Sequence, residues 1–207
     1  MSKSEQYARA AEGWSAGAYA DPRTYLEHRA RLVVDVGPPL GPGDVVLDLA
    51  CGDGGLGAAL LARGLGYRGV DATTEMVDAA RSLLGDAAVV EVGDLNDYVP
   101  SDRVAATTLF RALYYSRDRT ELFRRICSYT DKKLVFDLNP RQYPVSDVTR
   151  ELRVAGFGHV ALRPFLVPQT RVLPAPVVSF LRAVERMPIA RLLLRVRFTY
   201  LVAAWRD

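Results

Sequence analysis

Cysteine, histidine and lysine are all scarce in this chain of 207 residues. The two cysteines, Cys51 and Cys127, have no metal-ligand spacing and are too few for a disulfide framework, so we expect a reducing, cytoplasmic setting and no metal site. No apolar run reaches about 18 residues, and the polar N-terminus MSKSEQYARAAEGW has no apolar signal core. These absences disfavour a membrane span and secretion.

The composition is otherwise that of a globular protein, and the charge is unevenly distributed. Hydrophobic residues make up 49% and charged residues 25% of the chain, which excludes a disordered or collagen-like protein and fits one domain over 1–207. The net charge of +3 conceals a split, because residues from 141 onward contain 11 arginines, no lysine and 4 acids. We expect this basic third to contact something anionic or amphipathic, although genomic base composition alone could produce the arginine bias. Nucleic acid is not the expected partner, because a dense phosphate-binding surface with many lysines is missing.

Short β-branched or apolar runs alternate with helical periodicity from residue 45 onward. Two helices are expected before the first run, over 4–12 and 22–36, and a glycine- and proline-rich turn ends the second. Strands alternating with helices form right-handed crossovers, so the pattern predicts a mostly parallel sheet with helices on both faces. The first five strands are predicted over 45–50, 67–71, 87–92, 104–110 and 133–138.

The last third of the chain changes character. A helix is predicted over 145–155, then a strand over 159–167 and a further strand over 198–205. We interpret these two strands as an antiparallel pair at the edge of the sheet, separated by an insertion of about 30 residues. Within the insertion, helices are expected over 177–187 and 188–195.

The most informative segment has the sequence VVLDLACGDGGLG. Its strand contains Asp48 and turns into a helix through Ala50, Gly52 and Gly54, small residues that let backbone N–H groups approach a ligand closely. The glycines, together with Gly57, also satisfy the dinucleotide pattern G-x-G-x-x-G, so a nicotinamide-dependent oxidoreductase is an alternative. The Asp48 carboxylate, however, favours a cationic ligand and would repel a pyrophosphate.

The same segment resembles the first motif of the class I S-adenosylmethionine-dependent methyltransferases, which has the form acid-x-Gly/Ala-x-Gly-x-Gly. Asp71, at the end of the second strand, stands where this family holds both ribose hydroxyls, and Asp94, after the third strand, stands where it meets the adenine amino group. Met76 and Leu95 stand where apolar side chains pack at the adenine. FRALYYSRD, KKLVFDLNP and AGFGHV follow in the family's order, so the resemblance covers residues 44–167.

The pattern and the resemblance together predict an α/β fold. It is a Rossmann-like three-layer sandwich with a mostly parallel seven-stranded sheet, an antiparallel last strand, N-terminal helices and a helical insertion before that strand. The single methyltransferase domain divides into an N-terminal helical lid (1–40), a cofactor-binding core (44–167), the insertion (168–197) and the last strand (198–207). S-adenosyl-L-methionine is the implied cofactor. The residues expected to bind it are Asp48, Ala50, Cys51, Gly52, Gly54, Asp71, Ala72, Met76, Gly93, Asp94, Leu95, Phe110 and Arg111.

The acceptor site is expected beside the turn after the fourth strand. Many family members that methylate hydroxyls or carbons carry a histidine there, whereas this chain has Tyr114 and Tyr115, so a histidine base at that turn is excluded. Either tyrosine could position an acceptor or stabilise the sulfonium, and the alternative is packing in the core or rim. His28 is the third catalytic candidate, with an exposed helix histidine as its alternative. The candidates for binding the acceptor are Tyr7, Tyr19, Tyr25 and Arg141.

Two further segments bear on the acceptor. Asn139-Pro140-Arg141-Gln142 superficially resembles the Asn/Asp-Pro-Pro-Tyr/Phe motif for planar nitrogens, but it follows the fifth strand and lacks the second proline and the aromatic residue. Amino-group methylation of bases or glutamine is therefore not indicated. The basic amphipathic segment 176–198 fits a packed element or lid, a helix in peripheral contact with a membrane near a greasy acceptor, or a dimer surface.

These observations predict a metal-independent methyltransferase that acts by in-line displacement, with proximity and orientation as its main contributions. The expected acceptor is a small molecule, either a specialised metabolite, a sugar, a quinone-like compound or a lipid-linked intermediate. A catalytically silent partner subunit that binds S-adenosylmethionine is the alternative from another class, and the nicotinamide-dependent oxidoreductase is the third hypothesis.

Overall fold

The computed structural model of the chain describes residues 17–169, 171–187 and 199–207. The predicted helices over 4–12 and 188–195 lie outside the described residues. The division into lid, core, insertion and last strand stays a prediction. Within the described ranges, no helix combines the length and the apolar character needed to cross a bilayer.

Seven strands of the described chain form one mixed sheet, which is the middle layer of the fold. Parallel pairing joins β1 to β2 and β4, β2 to β3, and β4 to β5, whereas β7 pairs antiparallel with both β5 and β6. The spatial order is β3-β2-β1-β4-β5-β7-β6. The strands are β1 (Val45–Leu49), β2 (Gly66–Asp71), β3 (Val89–Val92), β4 (Val104–Leu109), β5 (Thr130–Leu138), β6 (His159–Pro164) and β7 (Tyr200–Trp205).

The last two strands form the antiparallel pair predicted at the edge of the sheet, and β6 is its outer member. β7 is not at the edge of the sheet but lies between β5 and β6, where Ala204 is opposite both Leu134 and Val160. Five of the six residues of β7 are buried, whereas β6 is mostly half-buried. A wholly apolar strand gains most from neighbours on both sides, and a half-buried strand is suited to the edge.

Helices cover both faces of the sheet, as predicted. The helix α1 (Pro22–Asp35) begins at Asp21, whose side chain accepts a hydrogen bond from the Thr24 amide. One hydrophobic cluster contains residues of α1, α2 and α3, and a second cluster on the other face contains residues of α4 and α5. These helices and the inserted α6 are α2 (Gly55–Leu61), α3 (Thr74–Leu84), α4 (Arg119–Tyr129), α5 (Val145–Val154) and α6 (Ala175–Arg186).

A buried lysine holds the end of α1 on the sheet. The Nζ atom of Lys133, on β5, donates hydrogen bonds to the carbonyl oxygens of Val34 at 3.0 Å and Val36 at 2.7 Å. Burial lowers the pKa of Lys133 to about 8. The ammonium satisfies carbonyls that the helix itself leaves without donors. This contact joins the C-terminal end of α1 to β5.

Candidate functional site

A cavity of about 400 Å³ lies at the carboxyl ends of β1, β2, β3 and β4. The loops that follow these four strands form most of its wall, and α1 contributes Leu26 and Arg29. Such crevices beyond the carboxyl ends of parallel strands are where open α/β sheets bind ligands. Twelve of the thirteen predicted cofactor residues line this cavity, namely Asp48, Ala50, Cys51, Gly52, Asp71, Ala72, Met76, Gly93, Asp94, Leu95, Phe110 and Arg111. Their binding roles remain predictions.

The loop after β1 turns through left-handed backbone conformations. Ala50, Gly52 and Gly54 have φ values of 60°, 57° and 79°, which are unusual for any residue with a side chain and tolerated by glycine. Gly54 does not line the cavity. A Cβ atom on it would lie 3.1 Å from Cβ of Ala80 and 3.0 Å from a methyl of Leu84. Gly54 therefore allows α2 to start close against α3.

Asp48 is a buried carboxylate at the floor of the cavity. The hydroxyl of Thr108 donates to its Oδ1 at 2.6 Å, and the hydroxyl of Tyr67 donates to its Oδ2 at 2.9 Å. Burial raises the pKa of Asp48 to about 6, although these two hydrogen bonds favour the ionised form. An anionic group with little access to water favours a cationic ligand nearby.

Gly57 belongs to the same arrangement. A Cβ atom at this position would lie 2.6 Å from Cε1 and Cζ of Tyr67, so only glycine leaves room for the ring. The third glycine of the G-x-G-x-x-G pattern therefore serves the packing of α2 on β2 and, through Tyr67, the position of Asp48.

Two further carboxylates stand at the ends of β2 and β3. Asp71 accepts hydrogen bonds from the backbone amides of Gly52 and Thr73, each at 3.0 Å, and so orders two loops of the cavity. Asp94 Oδ1 accepts from the backbone and side-chain amides of Asn96, each at 2.8 Å, and its Oδ2 pairs with Arg117 at 2.7 Å. Partial burial opposes ionisation of Asp94, but Asn96 and Arg117 outweigh it and hold the pKa below its usual range.

Arg29 is a buried cation in the cavity wall that the sequence did not identify as a binding residue. Its guanidinium donates to the hydroxyls of Tyr25 at 2.8 Å and Tyr19 at 3.3 Å. Its Cζ atom lies 4.2 Å from the centre of the Phe110 ring, which is within the range of a cation–π interaction. A usable signal was its position one helical turn after Tyr25, on the otherwise apolar face of α1.

The acceptor candidates are distributed unevenly. Tyr114 and Tyr115 lie in the short 3₁₀ turn Leu113–Tyr115 after β4, line the cavity, and have ring centres 4.3 Å apart. Tyr19 also lines the cavity, whereas Tyr25 packs beside it under Arg29. Arg141 lies in the exposed turn after β5 and does not line the cavity. Tyr7 lies outside the described residues.

His28 does not line the cavity, and it is not an exposed helix histidine either. It is buried between α1 and α6, where its Nε2 lies 2.8 Å from Oε2 of Glu185. Arg31 Nη2 lies 2.9 Å from its Nδ1. Because a guanidinium only donates, Nδ1 is the acceptor towards Arg31, which leaves Nε2–H to donate to Glu185. No local pattern could have revealed this contact, since Glu185 lies 157 positions away.

Across the part of the chain that the structure describes, no group of three or more His, Cys, Asp or Glu side chains could hold a metal ion.

Comparisons with known proteins identify a methyltransferase domain in the part of the chain that forms most of the cavity. Residues 46–133 match a family model described as a methyltransferase domain. No curated protein sequence matches the chain. Among solved structures, one similar chain belongs to the complex between the Haloferax volcanii Trm112 methyltransferase activator and a chain assigned as a methyltransferase, with 23% identity, a TM-score of 0.67 and 98% coverage of each chain.

Two other solved structures have the same fold. The TehB-like methyltransferase of Corynebacterium glutamicum is 17% identical, with a TM-score of 0.65 over 99% of this chain and 98% of that one. The magnesium protoporphyrin IX methyltransferase of Synechocystis, solved with bound S-adenosylmethionine, is also 17% identical, with a TM-score of 0.63 over 89% of this chain and 79% of that one.

The family match covers the part of the chain that builds β1 to β4 and all their cavity loops. It identifies a methyltransferase domain and not a nicotinamide-dependent oxidoreductase. With the sheet order and the cavity at the carboxyl ends of these strands, the chain contains a methyltransferase domain and has the Rossmann-like fold that these solved methyltransferases share.

Proposed function

We propose that this methyltransferase acts on a small-molecule acceptor, without a metal ion and by in-line displacement. The observation that carries the proposal is the concave cavity of about 400 Å³, which the β-strand loops and α1 line together. Pockets of this size and apolar character bind small molecules. A specialised metabolite, a sugar, a quinone-like compound or a lipid-linked intermediate falls within this class.

The cavity suits S-adenosyl-L-methionine because its charged groups are complementary to a cationic nucleoside. Asp71 stands at the end of β2 beside the glycine loop, where one carboxylate can accept hydrogen bonds from two ribose hydroxyls. Met76 and Leu95 supply apolar wall for a base. The buried guanidinium of Arg29 is suited to a carboxylate, and the Asp48 carboxylate to a positive charge.

The chain's contribution to the reaction is to align the methyl donor and the acceptor. When bound, S-adenosyl-L-methionine supplies a methyl carbon on a positively charged sulfur, which an acceptor nucleophile displaces in line. Tyr114 and Tyr115 offer two aromatic faces at the cavity rim to hold an acceptor. Neither His28 nor His159 lines the cavity, so we assign no imidazole base to this site. Holding two reactants in the correct geometry can by itself supply much of the rate enhancement.

Two solved neighbours support a small acceptor. One is the magnesium protoporphyrin IX methyltransferase, and another is a phosphoethanolamine N-methyltransferase of Haemonchus contortus in complex with phosphomonomethylethanolamine. We also propose that the enzyme works in the cytoplasm. The free, buried Cys51 and Cys127 support a reducing compartment.

The Haloferax volcanii neighbour favours a second candidate, because it is bound to a methyltransferase activator. In this candidate the chain binds the donor but transfers the methyl group only together with a second subunit. The two candidates differ in one respect that can be measured, namely whether the purified chain transfers a methyl group when it is alone.

The test follows a labelled methyl group. The purified chain is incubated with methyl-labelled S-adenosylmethionine and with separate small-molecule, protein and nucleic-acid fractions of a cell extract. Label is expected in the small-molecule fraction, and Asp71→Ala should abolish its transfer. In calorimetry, Asp71→Ala should also weaken S-adenosylhomocysteine binding by roughly tenfold or more, whereas Asp86→Ala, an exposed acid after α3, should not.

Label in a macromolecular fraction would contradict the small-molecule acceptor. Binding of S-adenosylhomocysteine that Asp71→Ala leaves unchanged would contradict the donor site. Donor binding with no transfer to any fraction by the chain alone would favour the candidate with a second subunit.

A further inference from the structure

The helix α6 and its C-terminal cap expose three large apolar side chains to solvent, while the helix buries one carboxylate against the protein. Glu185 is its buried residue, at 3% exposure, whereas Val177, Phe180 and Met187, at its C-terminal cap, are 42%, 66% and 53% exposed. These three side chains are spaced so that they share one side of a helix. We call them the outer face of α6. An amphipathic helix normally buries its apolar side, so an outer face of this kind is a surface for a partner.

Buried polar contacts hold α6 in this orientation. Glu185 Oε2 pairs with His28 Nε2 at 2.8 Å, and its Oε1 accepts from the Leu166 amide at 2.7 Å. The guanidinium of Arg182 donates to the carbonyl oxygen of Thr24 at 3.2 Å. Rotating the helix to bury Phe180 would break these bonds and leave a carboxylate without partners, which is costly. The outer face therefore stays outward.

The charge around the outer face indicates what covers it. Between residues 171 and 187 the chain has three arginines and a single acid, Glu185, which is buried. Arg171 and Arg186 are exposed. Apolar side chains on one side of a helix, combined with arginines and few acids, are typical of helices that lie in the headgroup region of an anionic bilayer. We propose that the outer face of α6 docks on an anionic membrane surface.

A second copy of the chain fits this surface less well. A two-fold interface places the same patch of each copy against itself, so the exposed Arg186 side chains of both copies would lie in one interface. Like charges brought together in an interface are unfavourable, whereas anionic headgroups neutralise them. The charge thus favours a membrane over a dimer.

The helix α6 is connected to the cavity wall through α1. The contact between Glu185 and His28 joins α6 to α1, and α1 supplies Leu26 and Arg29 to the cavity wall. Membrane binding would bring this wall close to the bilayer. Membrane binding can be measured without methyl transfer, so the proposal does not depend on the identity of the acceptor.

The test is sedimentation of the purified chain with vesicles. We expect binding to vesicles of phosphatidylcholine and phosphatidylglycerol, little binding to phosphatidylcholine alone, and release by high salt. Phe180→Asp should lower the partition coefficient by roughly tenfold or more, and Arg186→Glu should lower it on anionic vesicles. The matched controls Val154→Asp and Arg153→Glu, on exposed positions of α5, should leave it unchanged.

Calorimetry with S-adenosylhomocysteine shows that each variant is folded and keeps its donor site. Absence of binding to anionic vesicles overturns the proposal, as does equal loss of binding in the α5 controls. A chain that light scattering finds to be dimeric, and that Phe180→Asp converts to a monomer, would also overturn it in favour of a second copy.

Discussion

Replacing Gly57 with alanine adds one methyl group where the ring of Tyr67 already lies. The added Cβ would be 2.6 Å from two ring carbons, well inside contact distance. The ring cannot move away freely, because its hydroxyl donates to the buried carboxylate of Asp48 at 2.9 Å. The substitution therefore forces either a shift of α2 away from β2 or the loss of this hydrogen bond.

The expected effect has the opposite sign to that of an ordinary helix glycine. In an open helix position, alanine stabilises a protein by about 1 kcal/mol relative to glycine. Overpacking costs about 1–3 kcal/mol, and a lost hydrogen bond to a charged group costs about 1.5–3 kcal/mol. The two costs do not add in full, because a ring that moves to relieve the clash gives up the hydrogen bond. We therefore expect Gly57→Ala to lower the free energy of unfolding by about 2 kcal/mol.

Urea denaturation measures this change as a lower midpoint at constant slope. Gly41→Ala is the matched control, because a Cβ there meets no atom within 4 Å and its φ is not in the left-handed region. In a double-mutant cycle, Gly57→Ala should cost less in a Tyr67→Phe background, where the hydrogen bond to Asp48 is already absent. Calorimetry should show weaker S-adenosylhomocysteine binding for Gly57→Ala.

A stabilised Gly57→Ala protein, comparable to Gly41→Ala, would refute the packing argument. Equal costs of Gly57→Ala with and without the Tyr67 hydroxyl would refute the connection to Asp48 while leaving the steric part intact.

Two further predictions concern buried charges. Because burial raises the pKa of Asp48 to about 6, its carboxylate is neutralised as the pH falls through that value. Calorimetry should then show that S-adenosylmethionine loses affinity relative to S-adenosylhomocysteine, whose sulfur carries no charge. Asp48→Asn should remove this pH dependence. Lys133→Met removes the donor to the Val36 carbonyl and one of the two donors to the Val34 carbonyl, which keeps the Leu40 amide. It should cost about 2 kcal/mol in urea denaturation, whereas Lys132→Met, at a half-exposed ion pair, should cost under about 1 kcal/mol. A ratio of the two ligand affinities that does not change with pH would contradict the first prediction. Equal losses of unfolding free energy for Lys133→Met and Lys132→Met would contradict the second.

Much of the fold could be predicted because its signals are local. The predicted helix over 22–36 is α1 (Pro22–Asp35), with Pro22 in its first turn, and the predicted strand over 104–110 is β4 (Val104–Leu109). The loop after β1 was recognisable for the same reason, since small residues in sequence suffice to indicate a backbone that approaches a ligand. Twelve of the thirteen residues named from these motifs line one cavity.

The contacts that support the site join residues that are far apart in the sequence. The hydroxyls that hold Asp48 come from positions 19 and 60 residues away along the chain. Thr108 and Tyr67 are ordinary strand residues, and nothing in their immediate sequence indicates a partner. Their roles follow only from the register of β1 between β2 and β4.

The amino-acid sequence by itself determined the alternation of strands and helices, the glycine loop and the acids at the strand ends, because periodicity and chain order specify these directly. Only the tertiary structure decided that β7 lies inside the sheet, that Arg29 lies in the cavity wall, and that α6 buries Glu185 while it exposes Phe180. These are long-range choices, made by which surfaces can be buried together and which buried polar groups can find partners.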